Sequence, residues 1–207
     1  MLKFFLLFLK KYKLAQGGLT ISVVGLDGAG KGTYIELLLQ DFQKRGVNFK
    51  SCYLGYSAYR LLPLRRIVTL MEKHRNHPLY KFLFLVYLIL LPFDFLVRRG
   101  LGTYEVLITD RHPIYEPVFH YGIFTIYNRF IERLCPSPDI VIYLTGDAET
   151  LWKRKKEHEY AHYVHRRKQL DKLIKLYSKK DIIIEVDTVG DISDVFRKIS
   201  SEITSHL

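Results

Sequence analysis

A glycine-rich segment near the start of the chain has the residues and spacing of a phosphate-binding loop. The segment reads GLDGAGKGT and spans Gly25 to Thr33. Glycines at 25, 28 and 30 can adopt backbone angles that other residues avoid, so successive amides can turn towards one anion. Lys31 would place an ammonium group beside the outer phosphates, and the N-terminus of the following helical pattern would add partial positive charge. An apolar strand pattern before the segment completes the context that a Walker A loop requires.

This loop departs from the strict pattern G-x-x-x-x-G-K-[ST] at one position. Gly32 follows Lys31, so the hydroxyl comes one residue later, from Thr33. The departure leaves open which group would contact magnesium. The sequence has neither the long glycine-aspartate switch motif nor the N-K-x-D motif of GTPases. A short chain with Asp27 inside the loop points instead to the small nucleotide kinases.

A second group of polar residues follows the run YEVLIT, namely Asp110, Arg111 and His112. An aspartate at the end of a strand can hold a magnesium-bound water. An arginine beside it can bridge phosphate oxygens with two parallel hydrogen bonds. Alone, the pair would be read as a structural ion pair, but beside a Walker A loop it favours phosphoryl transfer.

Four segments in this order resemble the thymidylate kinase family of nucleoside monophosphate kinases. GLDGAGKGT is similar to the family's G-[LIV]-[DE]-G-x-G-K-x-T loop, and VLITDRH to its D-R-[YH] motif. PDIVIYLTGDAETLWKRKK is similar to the P-D-x-x-x-x-L strand and the helix that leads into a basic lid. IIIEVDTVGDISDVFRKI resembles the last strand and helix, so the resemblance covers most of the chain from Thr20 onward.

The resemblance implies roles for the matching residues. Lys31, Asp110, Arg111 and Arg154 would be catalytic, with Arg166 or Arg167 completing the cationic clamp of a lid at about 151–168. The donor ATP would be bound by Gly25, Asp27, Gly28, Ala29, Gly30, Lys31, Gly32 and Thr33. Magnesium would be held at Thr33 and Asp110. A homodimer is implied by the resemblance alone.

The acceptor pocket is where the chain departs from the family. The resemblance assigns Asp27 to the acceptor's sugar hydroxyl and Arg111 to its phosphate. Phe84 or Tyr87 would stack on the base, but the family's base-binding arginine falls near Leu88–Leu90. Arg60 would replace an arginine of the altered segment YLGYSAYR, and Phe119 stands where a tyrosine is usual.

Short β-branched runs alternate with helical patterns along the chain. The predicted strands are Thr20–Val24, Asn48–Leu54, Tyr104–Thr109, Asp139–Leu144 and Asp181–Asp187. The predicted helices cover about 31–45, 59–75, 79–99, 115–134, 147–178 (broken) and 191–204. Near-continuous apolar strands indicate burial on both faces. The alternation predicts an α/β protein, a P-loop kinase fold with a five-stranded, mostly parallel sheet and helices on both faces. We expect one domain over 1–207, with an N-terminal extension at 1–18.

Two apolar stretches raise the question of a membrane segment. MLKFFLLFLKKYKL has an uninterrupted apolar run of only six residues, which favours a packed extension over an interfacial anchor. FLFLVYLILLPFDFLV has a clean run of ten residues before Pro92. That length predicts a buried core helix, broken or kinked at Pro92, with Arg98 and Arg99 as solvated ends.

The composition indicates what kind of partner this protein binds, but it does not identify the partner. The 207 residues carry a formal net charge of +11, which suggests an anionic partner. Two distant cysteines exclude a disulfide framework and indicate a cytoplasmic protein. Peripheral membrane contact is not favoured, and no specific nucleic acid is expected.

Together these features predict an ATP- and magnesium-dependent kinase that converts dTMP to dTDP in nucleotide biosynthesis. A related kinase with a different or non-nucleotide acceptor is one alternative. A nucleotide-dependent binding protein without turnover is the other.

Overall fold

The computed structural model describes residues 18–55, 62–73, 77–99, 103–116, 135, 137–156 and 159–205. The N-terminal stretch 1–17 and the predicted acceptor residues Arg60 and Phe119 therefore lie outside the described residues.

Five strands form one sheet in which every neighbouring pair is parallel. They are β1 (Leu19–Gly25), β2 (Phe49–Tyr53), β3 (Val106–Asp110), β4 (Ile140–Thr145) and β5 (Ile182–Asp187). Their spatial order is β2-β3-β1-β4-β5. The prediction of five parallel strands is confirmed, with each end within two residues of its predicted place.

Six helices of two or more turns are described, together with one short 3-10 turn. They are α1 (Lys31–Lys44), α2 (Leu62–Lys73), α3 (Leu79–Arg99), α4 (Ala148–Lys155), α5 (Tyr160–Tyr177) and α6 (Ile192–Ser205). The predicted break in 147–178 is confirmed, because α4 ends at Lys155 and Lys156 follows it in a left-handed conformation (φ 46°). Of the helix predicted over 115–134, only the first two residues are described, and neither is in an α-helix: Tyr115 ends a 3-10 turn (Pro113–Tyr115) and Glu116 is extended. Residues 117–134 lie outside the described residues.

Helices cover both faces of the sheet, as predicted. On one face, α1 and α6 pack their apolar residues against β1, β3 and β4, with Leu38, Phe42 and Ile199 at the centre. On the other face, α5 packs Leu170, Leu173 and Ile174 against β4. This packing holds the carboxyl ends of the strands in fixed register.

Burial differs among the strands in a way that the sequence pattern did not predict. β1, β3 and β4 are almost fully buried. β2 consists of half-buried residues and one exposed residue, and β5 mixes exposed, half-buried and buried residues. β2 and β5 are the edge strands and have a strand on one side only. The expectation of burial on both faces is therefore wrong for these two strands.

Two expectations for α3 are corrected by the structure, and a third is narrowed. The helix runs without a break through Pro92, so of the predicted break or kink only the kink is left. Its C-terminal end is not solvated: Arg98 and Arg99 are each only 5% exposed. Nor is it a core helix, since Phe82, Leu85 and Ile89 are more than half exposed. Among the described helices, α3 is the one whose length and composition would suffice to cross a membrane.

Candidate active site

The parallel register brings the ends of four strands to one edge of the sheet. Val23 of β1 pairs with Asp110 of β3, and Tyr53 of β2 pairs with the same Asp110. Gly25 at the end of β1 pairs with Leu144 of β4. The glycine-rich loop and the Asp110-Arg111 pair, far apart in sequence, therefore start from adjacent positions.

The loop has glycine at the two positions where a side chain has no room. Gly25 (φ +155°) would place a Cβ 2.6 Å from the Leu144 carbonyl oxygen. Gly28 (φ +87°) would place one 2.5 Å from the Leu151 carbonyl oxygen. The loop therefore packs closely between β4 and α4, and a residue with a side chain at either of these two positions would clash with a backbone carbonyl.

The start of α1 is open to an anion. Its N-cap is Gly30 in a left-handed conformation, no side chain caps the helix, and its first turn has no acidic residue. The first amides of a helix have no acceptor within the helix, and they carry partial positive charge. The loop thus presents free N–H donors beside Lys31.

Lys31 is buried beneath the loop and held by it. Its Nζ donates to the carbonyl oxygens of Gly25 at 3.1 Å and Leu26 at 2.8 Å. Burial, together with the nearby Arg111 guanidinium, lowers the pKa of Lys31 to about 8. The ammonium is thus confined at the base of the loop.

Asp27 and Arg111 join the two motifs. Arg111 Nη2 donates to Asp27 Oδ1 at 2.5 Å, and Lys31 Nζ lies 3.6 Å from the same oxygen. Burial raises the pKa of Asp27, but the cationic Arg111 and Lys31 outweigh it and hold that pKa below its usual value. Asp27 is therefore an anion at neutral pH.

Arg111 also has an unusual backbone. Its φ is +67°, in the left-handed region that non-glycine residues rarely occupy, and its N–H donates to the Val23 carbonyl at 3.0 Å. Such a conformation costs about 1–3 kcal/mol and persists where the surroundings enforce it. The turn directs the guanidinium back over the loop.

Glu116 extends this network to α5, which sequence analysis did not find. Arg111 Nη1 donates to Glu116 Oε1 at 3.2 Å, and Arg166 Nη2 donates to Oε2 at 3.1 Å. Glu116 is only 4% exposed. Burial alone would lower the pKa of Arg111, but the carboxylates of Glu116 and Asp27 raise it by more. The pKa therefore lies above its usual value, and the guanidinium is charged.

Two cavities meet at the Asp27–Arg111 pair. The first, here called the loop cavity, is open to solvent, has a volume of about 410 Å³ and is lined by Gly28, Gly30, Lys31, Gly32, Tyr53, Asp110, Arg154 and Lys155 as well as the pair. The second, a much narrower side cavity, has a volume of only about 20 Å³ and is lined by the pair and by His112, Tyr115, Glu116, His162, Tyr163, Arg166 and Leu170, among others. The loop cavity is lined mainly by groups that can bind phosphate. The side cavity is lined by aromatic and charged side chains.

The structure brings together most of the predicted site and separates some of it. Of the two candidate lid arginines, Arg166 lines the side cavity. Arg167 instead donates to the Gly146 carbonyl and to Asp171. Thr33 is exposed and lines neither cavity. Phe84 and Tyr87 stack on each other at 6.1 Å, with Tyr87 packed against the cluster of Leu64 and Leu91, and line neither cavity.

Asp110 is the residue that fits a magnesium site. Its Oδ1 is buried without a hydrogen-bond partner, and burial raises the pKa of this carboxyl. In the described part of the chain, no cluster of three His, Cys, Asp or Glu residues could hold a metal ion. Magnesium bound with phosphates needs only one or two protein carboxylates, because waters and phosphate oxygens fill the other positions.

Comparison with solved structures places this arrangement in a known fold. Deoxyadenosine kinase from M. mycoides with bound dCTP superimposes with a TM-score of 0.58 and 18% identity, covering 90% of this chain and 100% of that chain. The complex of the same kinase with the products dCMP and dCDP gives a TM-score of 0.57 and 20% identity, with the same coverage. The chain has the P-loop kinase fold. No protein-family model and no curated protein matches the sequence.

Proposed function

We propose that this chain is an ATP-dependent kinase of a nucleoside or nucleoside monophosphate. The observation that carries the proposal is the Asp27–Arg111 pair at the meeting point of the two cavities. The loop cavity suits a polyphosphate donor. An acceptor would enter at the side cavity, whose walls would have to move apart to admit it. The γ-phosphorus would lie between them.

Phosphoryl transfer on this arrangement would depend on positioning and charge. The loop amides and Lys31 would hold the β- and γ-phosphates, and Arg154 with Lys155 would close over them from α4. An acceptor oxygen entering from the side cavity would attack the γ-phosphorus in line, and the bond to the β-phosphate oxygen would break. Arg111 would neutralise charge on the transferring group.

Magnesium would bind at Asp110 together with the donor phosphates. When bound, it would supply Lewis-acid neutralisation of the phosphate oxygens. The chain's own part would be to aim the Asp110 carboxylate into the loop cavity, where it lines the wall beside Lys31.

Thymidylate is the acceptor that the sequence motifs favour. In that case Arg111 would exchange Asp27 for the acceptor phosphate, and Asp27 would meet the sugar hydroxyl. The base would enter the side cavity, where Tyr115 and Tyr163 offer aromatic surface. The resemblance to thymidylate kinases in the loop and D-R-H motifs supports this acceptor.

The charges in the side cavity favour a second candidate, an uncharged nucleoside. Arg111 and Arg166 are both already paired, with Asp27 and Glu116. Among the described residues that line this cavity, no arginine is left unpaired to bind an acceptor phosphate. Asp27, by contrast, is an anion that can accept a hydroxyl hydrogen. The structural neighbours are deoxyadenosine kinases by name, which agrees with a nucleoside acceptor.

A single experiment separates the candidates. ADP formation from ATP and Mg²⁺ would be measured with dTMP, with the other common nucleoside and deoxynucleoside monophosphates, and with each nucleoside and deoxynucleoside, and the products identified by mass. Formation of dTDP supports the monophosphate kinase, and formation of a deoxynucleoside monophosphate supports the nucleoside kinase. If ATP binds and no acceptor in the panel increases ADP formation, the proposed function is wrong and a binding protein without turnover is the better description.

A further inference from the structure

The outward face of α3 is an apolar surface that no described part of the chain covers. Leu79, Phe82, Leu85 and Ile89 are 40%, 62%, 56% and 54% exposed, and we call these four residues the α3 stripe. Their spacing places them within one side of the helix, along about 15 Å of its axis. No charged residue occurs from Phe82 to Phe93. Soluble monomers rarely leave such a continuous apolar surface open to water.

The opposite face ties α3 firmly to the sheet. Leu91 and Phe95 are fully buried. Arg98 Nη1 donates to the carbonyl oxygens of Tyr53 at 3.0 Å and Gly55 at 2.6 Å, and Arg99 donates to Thr20. A helix held in this way presents one side only. It can lie on a surface with these contacts intact, whereas crossing a membrane would break them.

Positive charge accompanies the stripe. Residues 62–99 contain seven Lys or Arg and two Asp or Glu. Arg98, Arg99 and Asp94 are buried, and without them the segment has five basic residues and one acidic residue. Lys81 on α3 is exposed, as are Arg65, Arg66 and Lys73 on α2, the helix that packs against α3. The whole chain carries +11.

Charge decides which occupant suits this face. A second copy would bring a like-charged surface of another +11 chain against it. An anionic bilayer offers apolar acyl chains to the stripe and phosphate or carboxylate groups to the flanking cations. We infer that the α3 stripe docks this protein on anionic membrane surfaces, with the helix lying in the plane of the interface. This inference is independent of the proposed function.

The test is vesicle binding by the full chain. Sedimentation would be measured with phosphatidylcholine vesicles that contain or lack about one-third phosphatidylserine, at low and high salt. Leu85→Gln/Ile89→Gln is the stripe variant. Leu176→Gln/Ile192→Gln is the matched control, because Leu176 and Ile192 are 62% and 51% exposed on α5 and α6. Circular dichroism and ATP binding would establish that both variants are folded, and the single variant Leu85→Gln serves if the double variant is not.

The expected result is salt-sensitive binding to phosphatidylserine vesicles, at least tenfold weaker in the stripe variant and unchanged in the control. Failure of the full chain to bind would overturn the inference, as would equal binding by the stripe variant. Light scattering without lipid gives a further test. If the wild type is a dimer that the stripe substitutions convert to a monomer, the face belongs to a second copy and the inference is wrong.

Discussion

Arg111 reaches from the end of β3 to Asp27 in the glycine-rich loop, with its Nη2 2.5 Å from Asp27 Oδ1. This contact joins two motifs that are 84 residues apart. It also forms the wall between the loop cavity and the side cavity. Any ligand that spans both cavities must pass this pair, so its environment governs the predictions that follow.

The carboxylate of Glu116, which binds Arg111 and Arg166, should stabilise the folded protein. Glu116→Ala removes the acid that Arg111 and Arg166 share, and leaves two partly buried cations without that partner. We expect the free energy of unfolding to fall by about 2–3 kcal/mol, measured by urea denaturation. Glu149→Ala, which breaks an exposed pair with Lys153, is the control and should leave the midpoint unchanged. Equal midpoints for Glu116→Ala and wild type would show that the network contributes nothing.

Lys31 should be essential for turnover and not for folding. Lys31→Met keeps the length of the side chain and removes its charge from the base of the loop. We expect kcat to fall about 100-fold or more, because a preorganised positive group at the transferring phosphate is lost. Lys44→Met, at the exposed end of the same helix, should keep wild-type activity. Wild-type activity in Lys31→Met would refute the proposed role.

ATP binding should weaken as the solution becomes alkaline. The pKa of Lys31 in the free protein lies at about 8, so its ammonium form predominates below that pH and is lost above it. Since the phosphates are bound by the charged form, the apparent Kd for ATP should rise about tenfold between pH 7 and pH 9. Isothermal titration calorimetry checks this and should detect proton uptake on binding at pH 9. Lys31→Arg stays charged over the whole range, and a similar rise in Kd in this variant would point to another group.

Two glycines of the loop should respond in opposite ways to alanine. Gly28→Ala forces a Cβ against the Leu151 carbonyl at 2.5 Å and a side chain into a left-handed conformation, so we expect a loss of about 2 kcal/mol or more. A Cβ at Gly32 meets no atom within 4 Å, and the residue lies in α1. Gly32→Ala should therefore gain about 0.5–1 kcal/mol. Thermal unfolding of both variants measures the difference, and equal effects would contradict the loop geometry.

Local patterns in the sequence were sufficient for the five strands and for most of the described helices. Alternating apolar runs and helical periods predicted five strands, because buried strands and amphipathic helices differ in period. The glycines, Lys31 and Asp110 could be proposed as site residues because backbone freedom and charge at fixed spacing are local properties. The misjudged ends of α3 have a physical reason: whether Arg98 and Arg99 meet water depends on β1 and β2, which are distant in sequence.

Tertiary structure decided the remainder. His162 and Tyr163 join the site only because α5 packs across the carboxyl ends of the strands, and no local pattern distinguishes them from ordinary helix residues. Glu116, which follows the 3-10 turn after β3, joins it through Arg111 and Arg166. The choice of Arg166 over Arg167 follows from helix rotation, since one faces the cavity and the other faces Gly146. The sequence by itself determined that an anion-binding loop would precede a helix. The pairing of charges across the side cavity, and the open face of α3, required the packed chain, because both depend on which distant residues become neighbours.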